Sequence, residues 1–223
     1  MSISKQFAVH TPLSSSSGSV VSGTFDSTGF THIVVESKHE GAPTTNTPSD
    51  NKGSTGWTSL TKENHSSGVL STQLHWAPIA SPGAGHTATV TFGAARDWRA
   101  ISVWLVNATS GVIEVVDQLT GQGNGTAVSL GNLDTTAASV SFMCVGEFAS
   151  GLHTPGTGWT EDFDPNGAEG SGFGQSRADA SSGSFAASAT NATSQDWTGN
   201  AVSFQEVVAA GRYAHRQILS GVG

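Results

Sequence analysis

Short runs in which apolar and polar residues alternate occupy much of the chain. Alternation with a period of two is typical of β-strands that bury one face. In the run ATVTF, for example, Ala88, Val90 and Phe92 share one face and the threonines occupy the other. The pattern therefore predicts half-buried strands at 19–25, 32–36, 69–76 and 87–92.

The alternation also predicts which side chains face the core. It places Val21 inward in the first run, and Ile33 and Val35 inward in the second. His32 and Glu36 then face solvent on the opposite side of the second strand. The other scattered histidines are interpreted in the same way, as solvent-facing positions of amphipathic strands.

Two runs, 101–106 and 140–145, are apolar almost throughout. Such runs are typical of central strands that are covered on both faces. No convincing amphipathic helix is found, because the best candidate, 205–218, is interrupted by Gly211. Further strands are expected near 112–116, 126–131, 184–190 and 201–208.

These elements predict an all-β fold, a two-sheet antiparallel β-sandwich of jelly-roll type. Residues 1–223 are expected to form one domain, with a long Gly-rich loop at about 151–176 and a short C-terminal tail at about 209–223. The composition agrees with this expectation, since 28 glycines and only 12% charged residues favour short strands joined by tight turns.

The net charge of −8 narrows the choice of partners. A chain this acidic repels phosphates, so no nucleic acid partner is expected. No stretch approaches the roughly 18 apolar residues of a membrane span, and the N-terminal sequence lacks the apolar run of a signal peptide. We therefore expect synthesis in the cytoplasm and no membrane partner. The single cysteine, Cys144, is expected to be a buried core thiol.

The tetrapeptide TGWT occurs twice, ending at Thr58 and at Thr160. In both copies a glycine permits a tight bend and a tryptophan opens the next strand, which favours Trp57 and Trp159 as covers over the ends of a core. A second interpretation is that Trp57, Trp76 and Trp159 are exposed platforms that stack on sugar rings. Duplication of a domain is less favoured, because the residues around the two copies do not repeat.

The short motifs of common enzymes are absent. The chain has no H-E-x-x-H, no P-loop, no G-x-S-x-G and no cysteine pair for zinc. Acidic residues cluster at Glu161, Asp162 and Asp164, but in a Gly-rich region with no rigid element to fix the separation that a glycosidase needs. The sequence therefore predicts no catalytic residue and no enzymatic activity.

The segment DFDPNG, which begins at Asp162, matches the first half of a calcium loop. Asp162, Asp164 and Asn166 supply oxygen atoms at positions 1, 3 and 5, and a glycine follows at position 6. Position 12 is Phe173, where such a loop has glutamate. An Asx-type turn is the competing interpretation. Calcium is the single cofactor that the sequence suggests.

The C-terminal segment GRYAHRQILSGVG differs in composition from the rest of the chain. Arginine and tyrosine are favoured at protein interfaces. Arg212, Tyr213 and Arg216 are therefore candidates for contact with a partner, and a solvated tail is the alternative.

Three segments within residues 45–107 resemble a pattern found in β-sandwich proteins of bacteria and tailed phages. They are TPSDNKGSTGWTSL, LHWAP and GHTATVTF. The pattern consists of an S-D-N-x-G loop followed by tryptophan, then a W-A segment, then a T-x-T-V-T-F strand. Proteins of this kind include structural and decoration modules of virions as well as lectin-like sandwiches.

The resemblance implies a non-enzymatic virion structural protein, first of all a capsid decoration (cement) protein of a tailed phage. Its expected location is the virion, and its expected partners are the major capsid protein or other virion proteins. The resemblance also implies a homo-oligomer, with a trimer as the favoured state. The alternative is a carbohydrate-binding, lectin-like module that serves as a phage receptor-binding part.

Overall fold

The structure, a computed structural model, describes residues 2–13, 18–41, 45–94, 98–147, 151–165 and 172–207. Within these ranges all regular secondary structure is β-strand, and every strand pair is antiparallel. The predicted all-β antiparallel sandwich is thereby confirmed.

The first part of the chain builds two sheets. Its strands are β1 (Ile3–Leu13), β2 (Ser19–Val21), β3 (His32–Glu40), β4 (Asn46–Asp50), β5 (Thr58–Ser59), β6 (Glu63–Asn64), β7 (Leu70–Pro78), β8 (Ala88–Phe92) and β9 (Arg99–Ala108). A central sheet has the order β1-β9-β3-β7-β5, with β6 also paired to β7. A three-stranded outer sheet has the order β2-β8-β4. Residues 3–108 are termed the first module.

The remaining strands form a single sheet, termed the folded sheet. They are β10 (Ile113–Thr135), β11 (Ser139–Glu147), β12 (His153–Pro155), β13 (Thr160–Phe163), β14 (Gly172–Asp179) and β15 (Gly183–Glu206). Their order is β10-β15-β11-β14-β13, and β12 is added to β15. Residues 113–206 are termed the second module.

The long ribbon of β10 and β15 folds back on itself. The bend lies at Gly125, whose φ of 140° is a value that favours glycine. Beyond the bend the ribbon returns over its own first half, so that a Cβ atom added to Gly121 would lie 2.9 Å from Leu130 Cδ2. The returning half of the ribbon, together with β12, therefore forms a layer of its own.

The described residues thus form a stack of four β layers with three main apolar cores between them, besides a smaller cluster at Leu70, Trp98 and Ala100. Burial of apolar side chains is the main driving force for such stacking. The core between the outer and central sheets includes Val20, Val35, Val90 and Leu105. The core between the two modules includes Val34, Trp104, Phe142 and Phe204. The core under the returning ribbon includes Leu133, Met143, Phe173 and Trp197.

The two modules repeat one arrangement of strands. The order β1-β9-β3-β7-β5 of the central sheet corresponds, strand for strand, to the order β10-β15-β11-β14-β13. The outer sheet, β2-β8-β4, corresponds to the returning half of β10, the first half of β15, and β12. The modules differ in two respects: strands that are separate in the first module are continuous through the bend in the second, and the described residues of the second module have no counterpart of β6.

The repeat extends to the register of individual residues. Pro48 pairs with Val90 in the first module, and Pro155 pairs with Ala189 at the corresponding place in the second. The threonines that end the two TGWT segments also occupy equivalent rows. One row contains Thr58, Trp76, Val34 and Trp104, and the other contains Thr160, Ser176, Phe142 and Val202. The fold therefore repeats one arrangement of strands, although the residues around the two TGWT copies do not repeat.

Two details of the predicted architecture differ from the structure. A jelly-roll topology is not confirmed, because the strands divide into two sheet pairs, one in each module, rather than into one. The Gly-rich region 151–176, predicted as a loop, contains β12, β13 and the start of β14. Its polar, Gly-rich sequence suits strands here because glycines permit close packing, as at Gly174, whose added Cβ would meet the Phe163 ring at 2.0 Å.

The predicted inward and outward directions are correct for some strands and wrong for others. The inward positions of β8 are confirmed, but in β2 the residue Val20 is buried and Val21 is 54% exposed. His32 and Glu36, predicted to face solvent, are 3% and 0% exposed. The reason is that β3 is covered by the outer sheet on one face and by the second module on the other.

Candidate functional site

The two TGWT segments have the same local geometry. Gly56 and Gly158 adopt φ values of 74° and 81°, left-handed values that glycine takes most readily. Trp57 then packs against the core under the outer sheet, and Trp159 is 7% exposed in the core under the ribbon. Trp159 also donates its indole N–H to the carbonyl oxygen of Ala186 at 2.9 Å. Both tryptophans cover the ends of cores, as the first interpretation of the sequence expected.

The three tryptophans considered for stacking on sugars do not form a common surface. Trp76 packs edge-on against Phe204 in the core between the modules, with 5.6 Å between ring centroids. Trp57 and Trp159 belong to the two other cores. Trp159 is buried, and Trp57 and Trp76 are partly buried. A stacking platform needs an open ring face, so the packing of these residues in three different cores favours a covering role, and sugar binding stays an untested prediction.

The SDNKG segment ties its own loop to the loop that precedes β8. Asn51 donates its side-chain amide to the Gly85 carbonyl oxygen at 2.8 Å and accepts the backbone N–H of Thr87 at 2.9 Å. Lys52 donates its Nζ to the carbonyl oxygen of Ala84 at 2.9 Å. The residues that carry the resemblance to phage and bacterial sandwiches therefore act as a clamp between two loops.

Asp50 is the centre of this clamp. Its Oδ1 accepts the backbone N–H groups of Lys52 and Ser54, each at 3.0 Å. Its Oδ2 lies 3.2 Å from Nε2 of His86, and both side chains are fully buried. His86 Nδ1 in turn lies 2.9 Å from the hydroxyl of Ser27, which belongs to a third loop.

Ser27, His86 and Asp50 have the composition of a hydrolase triad. Ser27 is fully buried, however, and its Oγ already accepts the backbone N–H of Gly83 at 3.0 Å. Burial also lowers the pKa of His86, although the neighbouring Asp50 opposes this shift. The three side chains hold loops together, and they present no nucleophile to a substrate.

Replacing Asp50 by alanine is expected to lower the free energy of unfolding by roughly 1–3 kcal/mol, because two backbone N–H groups lose their acceptor. Urea denaturation followed by tryptophan fluorescence measures the change. Asp26→Ala is the matched control, since Asp26 accepts the Thr28 N–H in a similar turn on an exposed loop. We expect little change for the control. Equal denaturation midpoints for Asp50→Ala and the wild type would contradict the clamp.

The predicted calcium ligands do not converge. Trp104 of the central sheet donates its indole N–H to Asp162 Oδ2 at 2.8 Å. The two oxygens of Asp164 instead accept the backbone N–H of His153 at 2.7 Å and face its ring Nδ1 at 3.0 Å. The third predicted ligand, Asn166, lies outside the described residues. The two carboxylates each have another partner in the described part of the segment, which favours the Asx-type turn, and the calcium site stays a prediction.

Accordingly, excess EDTA should leave the melting temperature unchanged, and added calcium should not raise it. An ion that binds only the folded state must shift the unfolding midpoint, so the absence of a shift would indicate that calcium does not bind. Differential scanning calorimetry with and without chelator measures this, with magnesium as the control ion. An increase of several degrees with calcium alone would reinstate the metal site.

A second serine–histidine contact lies at the edge of the central sheet. His75 Nδ1 is 2.8 Å from the exposed Ser59 hydroxyl, and its Nε2 is 3.0 Å from the buried Ser37 hydroxyl. Burial lowers the pKa of His75 to about 3. A base this weak does not activate a serine at neutral pH, and both ring nitrogens contact serine hydroxyls rather than a carboxylate. This contact therefore gives no support to a hydrolase.

The most highly charged cluster in the second module surrounds His153. Its Nε2 lies 2.6 Å from Glu147 Oε1, and its Nδ1 lies 3.0 Å from Asp164 Oδ1. The three side chains are at most 4% exposed. Gln195 donates its amide to the second oxygen of Glu147. The ring of His153 stacks on Phe173, with 4.8 Å between centroids.

The face between the two modules contains a second set of charges. Lys38 Nζ lies 3.3 Å from Glu36 Oε1, and neither side chain is exposed. Burial raises the pKa of Glu36, although the Lys38 charge opposes this shift. The predicted core thiol, Cys144, is fully buried beside this pair, which confirms the prediction, and burial raises its pKa.

A third polar contact joins the modules near their edge. Lys5 of β1 donates its Nζ to Ser176 Oγ of β14 at 2.6 Å. Burial lowers the pKa of Lys5 and raises the pKa of the neighbouring Asp162. Although a serine beside a lysine is a nucleophile–base pair in some hydrolases, Ser176 is fully buried. The contact thus fixes one module on the other.

The sequence interpretation missed the clusters around His153 and Glu36. Glu36 lies on β3, whose alternation predicted a strand with one exposed face. His153 lies in the region 151–176, whose Gly-rich sequence predicted a loop. One available signal was Glu36 and Lys38 at alternate positions beside the apolar residues of β3, which places two opposite charges on one face. The predicted interface residues Arg212, Tyr213 and Arg216 lie outside the described residues.

No group of three or more histidine, cysteine, aspartate or glutamate side chains able to hold a metal ion is found among the described residues. In the same part of the chain there is no helix long and apolar enough to span a membrane. No protein-family model, curated protein or solved structure matches the chain.

Proposed function

We propose that this chain is a non-enzymatic structural protein of a virion, and that it decorates the capsid of a tailed phage. The observation that carries the proposal is that the reactive polar side chains contact one another rather than face an open cleft. The side chains around Ser27, His153 and Ser176 are bound to one another in the interior, and His75, whose pKa burial lowers to about 3, contacts one buried and one exposed serine. Such an arrangement serves rigidity rather than turnover.

The outer surfaces of the stack suit a protein that lies against other proteins. Thr47, Ser49 and Thr91 face solvent on the outer sheet, and Ser129 and Thr190 face solvent on the returning ribbon. These are short, uncharged side chains on flat β surfaces, which lose little conformational entropy when they are covered. They provide two separate faces for contact with neighbouring subunits.

The proposed partner is the major capsid protein or another virion protein, and the proposed location is the virion. Decoration requires several identical contacts, and closed symmetry is the usual way to present them. We therefore include self-association in the proposal, with a trimer as the favoured state. Arg212, Tyr213 and Arg216 remain the proposed contact residues of the C-terminal segment.

Binding to purified capsids that lack this protein tests the proposal. We expect the full chain to co-sediment with such capsids at saturating stoichiometry, and a chain without residues 212–223 to bind more weakly while keeping its β-rich circular dichroism spectrum. Multi-angle light scattering gives the oligomeric state of both proteins. Failure of the full chain to bind capsids, together with specific binding on a glycan array, would favour the lectin-like alternative.

A further inference from the structure

The hydrogen-bond geometry around His153 requires a proton that a neutral histidine does not supply. Each ring nitrogen of His153 faces a carboxylate oxygen, Glu147 Oε1 at 2.6 Å and Asp164 Oδ1 at 3.0 Å. A neutral imidazole has one N–H and one lone pair, whereas an imidazolium has two N–H groups. Only the imidazolium satisfies both contacts when the two carboxyl groups are ionised.

The same three side chains connect separate parts of the second module. Glu147 ends β11, His153 begins β12, and Asp164 follows β13. Asp164 also accepts the backbone N–H of His153 at 2.7 Å, which closes the segment between them into a loop. This segment, residues 153–164, contains the second TGWT turn and the strand at the edge of the folded sheet.

We propose that Glu147, His153 and Asp164 form a proton-operated latch, in which the imidazolium of His153 ties residues 153–164 to the end of β11 and its deprotonation loosens them. Among the described residues, the titratable groups placed on the ring are the two carboxylates. The other contacts of the cluster are the Phe173 ring from β14 and the Gln195 amide from β15, which donates to Glu147.

The direction of the pH effect follows from the environment of the ring. Burial lowers the pKa of His153, but the hydrogen bonds and charges of Glu147 and Asp164 outweigh burial and raise it above its ordinary value. A raised pKa means that the folded state binds the proton more tightly than the unfolded state does. The latch is therefore fully closed below the ordinary pKa of histidine, and it opens as the pH rises through the folded-state value.

Nuclear magnetic resonance of the ring nitrogens tests the charge state directly in the unmodified protein. We expect both His153 nitrogens to show imidazolium shifts at neutral pH. His75, buried between two serine hydroxyls and with its pKa lowered to about 3, is the internal control and should be neutral. A neutral His153 ring at that pH would overturn the proposal, whether or not a carboxyl group carries the proton.

Hydrogen exchange tests the release of the segment. Between about pH 6 and about pH 9, after correction for the intrinsic rate, amides of residues 153–164 should exchange at least roughly tenfold faster, while those of β3 keep their protection. In Asp164→Asn, the segment should exchange rapidly already at the lower pH, and the His153 pKa should fall. Exchange in this segment that follows the intrinsic rate alone across the pH range would overturn the latch.

Discussion

Replacing Lys38 by methionine is expected to lower the free energy of unfolding by about 3–5 kcal/mol, because the change leaves a buried charge without its partner. Glu36 and Lys38 lie in the core between the modules, and neither side chain is exposed. Removal of the lysine leaves the buried carboxylate of Glu36 with only the neutral hydrogen-bonding groups of Ser102 and Cys144 beside it. Guanidinium denaturation monitored by circular dichroism measures the loss at neutral pH.

The double variant Glu36→Met, Lys38→Met is the matched control. Replacement of a whole buried ion pair by apolar residues of similar size is often neutral or stabilising, so we expect the double variant to recover most of the stability. The pH dependence has a definite sign as well. Burial raises the pKa of Glu36, so the deficit of Lys38→Met should shrink as the pH falls and the carboxyl group becomes neutral. A single variant as stable as the wild type at neutral pH would show that the two charges are not buried.

Replacing Trp159 by alanine should lower the free energy of unfolding by about 3–5 kcal/mol, since it removes a large buried side chain and leaves a cavity. The indole of Trp159 is 7% exposed, and it also bonds the backbone of Ala186. Loss of the ring therefore empties the core under the ribbon and leaves one carbonyl group without its donor. A thermal unfolding scan and a urea titration measure the effect.

Trp57→Ala is the control that the repeat of the modules provides. Trp57 follows the same left-handed glycine, but it is only partly buried, so the loss should be smaller. If the tryptophans are instead platforms for sugars, both variants should keep their stability and lose affinity for a glycan. A larger loss of stability for Trp159→Ala than for Trp57→Ala therefore indicates that the tryptophans cover cores. Unchanged stability with weaker glycan binding in both variants indicates that they bind sugars.

The sequence was sufficient to predict the fold class and the positions of most strands. Regular alternation in 87–92 and the continuous apolar runs at 101–106 and 140–145 correspond to β8, β9 and β11. These predictions succeeded because the period of a strand is fixed by its backbone, whatever surrounds it. The burial of Ala88, Val90 and Phe92 follows from the same regularity.

Which side chains are buried was harder to predict wherever more than two layers stack. His32 and Glu36 alternate with apolar residues and resemble solvent-facing positions, yet a second module covers that face. A local pattern contains no information about what packs on the polar side of a strand. The same limit hid the pairing of Glu147 with His153, which join the ends of separate strands.

The sequence did not predict that the two modules repeat one strand arrangement, and the reason is different. Equivalent rows contain chemically unrelated residues, such as Trp76 in one and Ser176 in the other. The TGWT turn repeats in sequence as well as in position, and in both copies a left-handed glycine precedes a tryptophan that packs on a core. Topology is preserved by strand pairing, which depends on backbone hydrogen bonds rather than on side-chain identity.

The division into modules has a consequence for the order of events during synthesis. Every strand of the first module lies before residue 109, so its ladders can close while the second module is still being translated. During that interval the face formed by Val34, Leu74 and Trp104 is open to water and to other nascent chains. Glu36 and Lys38 lie on this same face. While this face is open, the two charges interrupt its apolar surface, so we expect the ion pair to make an incomplete chain less prone to aggregation until the second module covers the face.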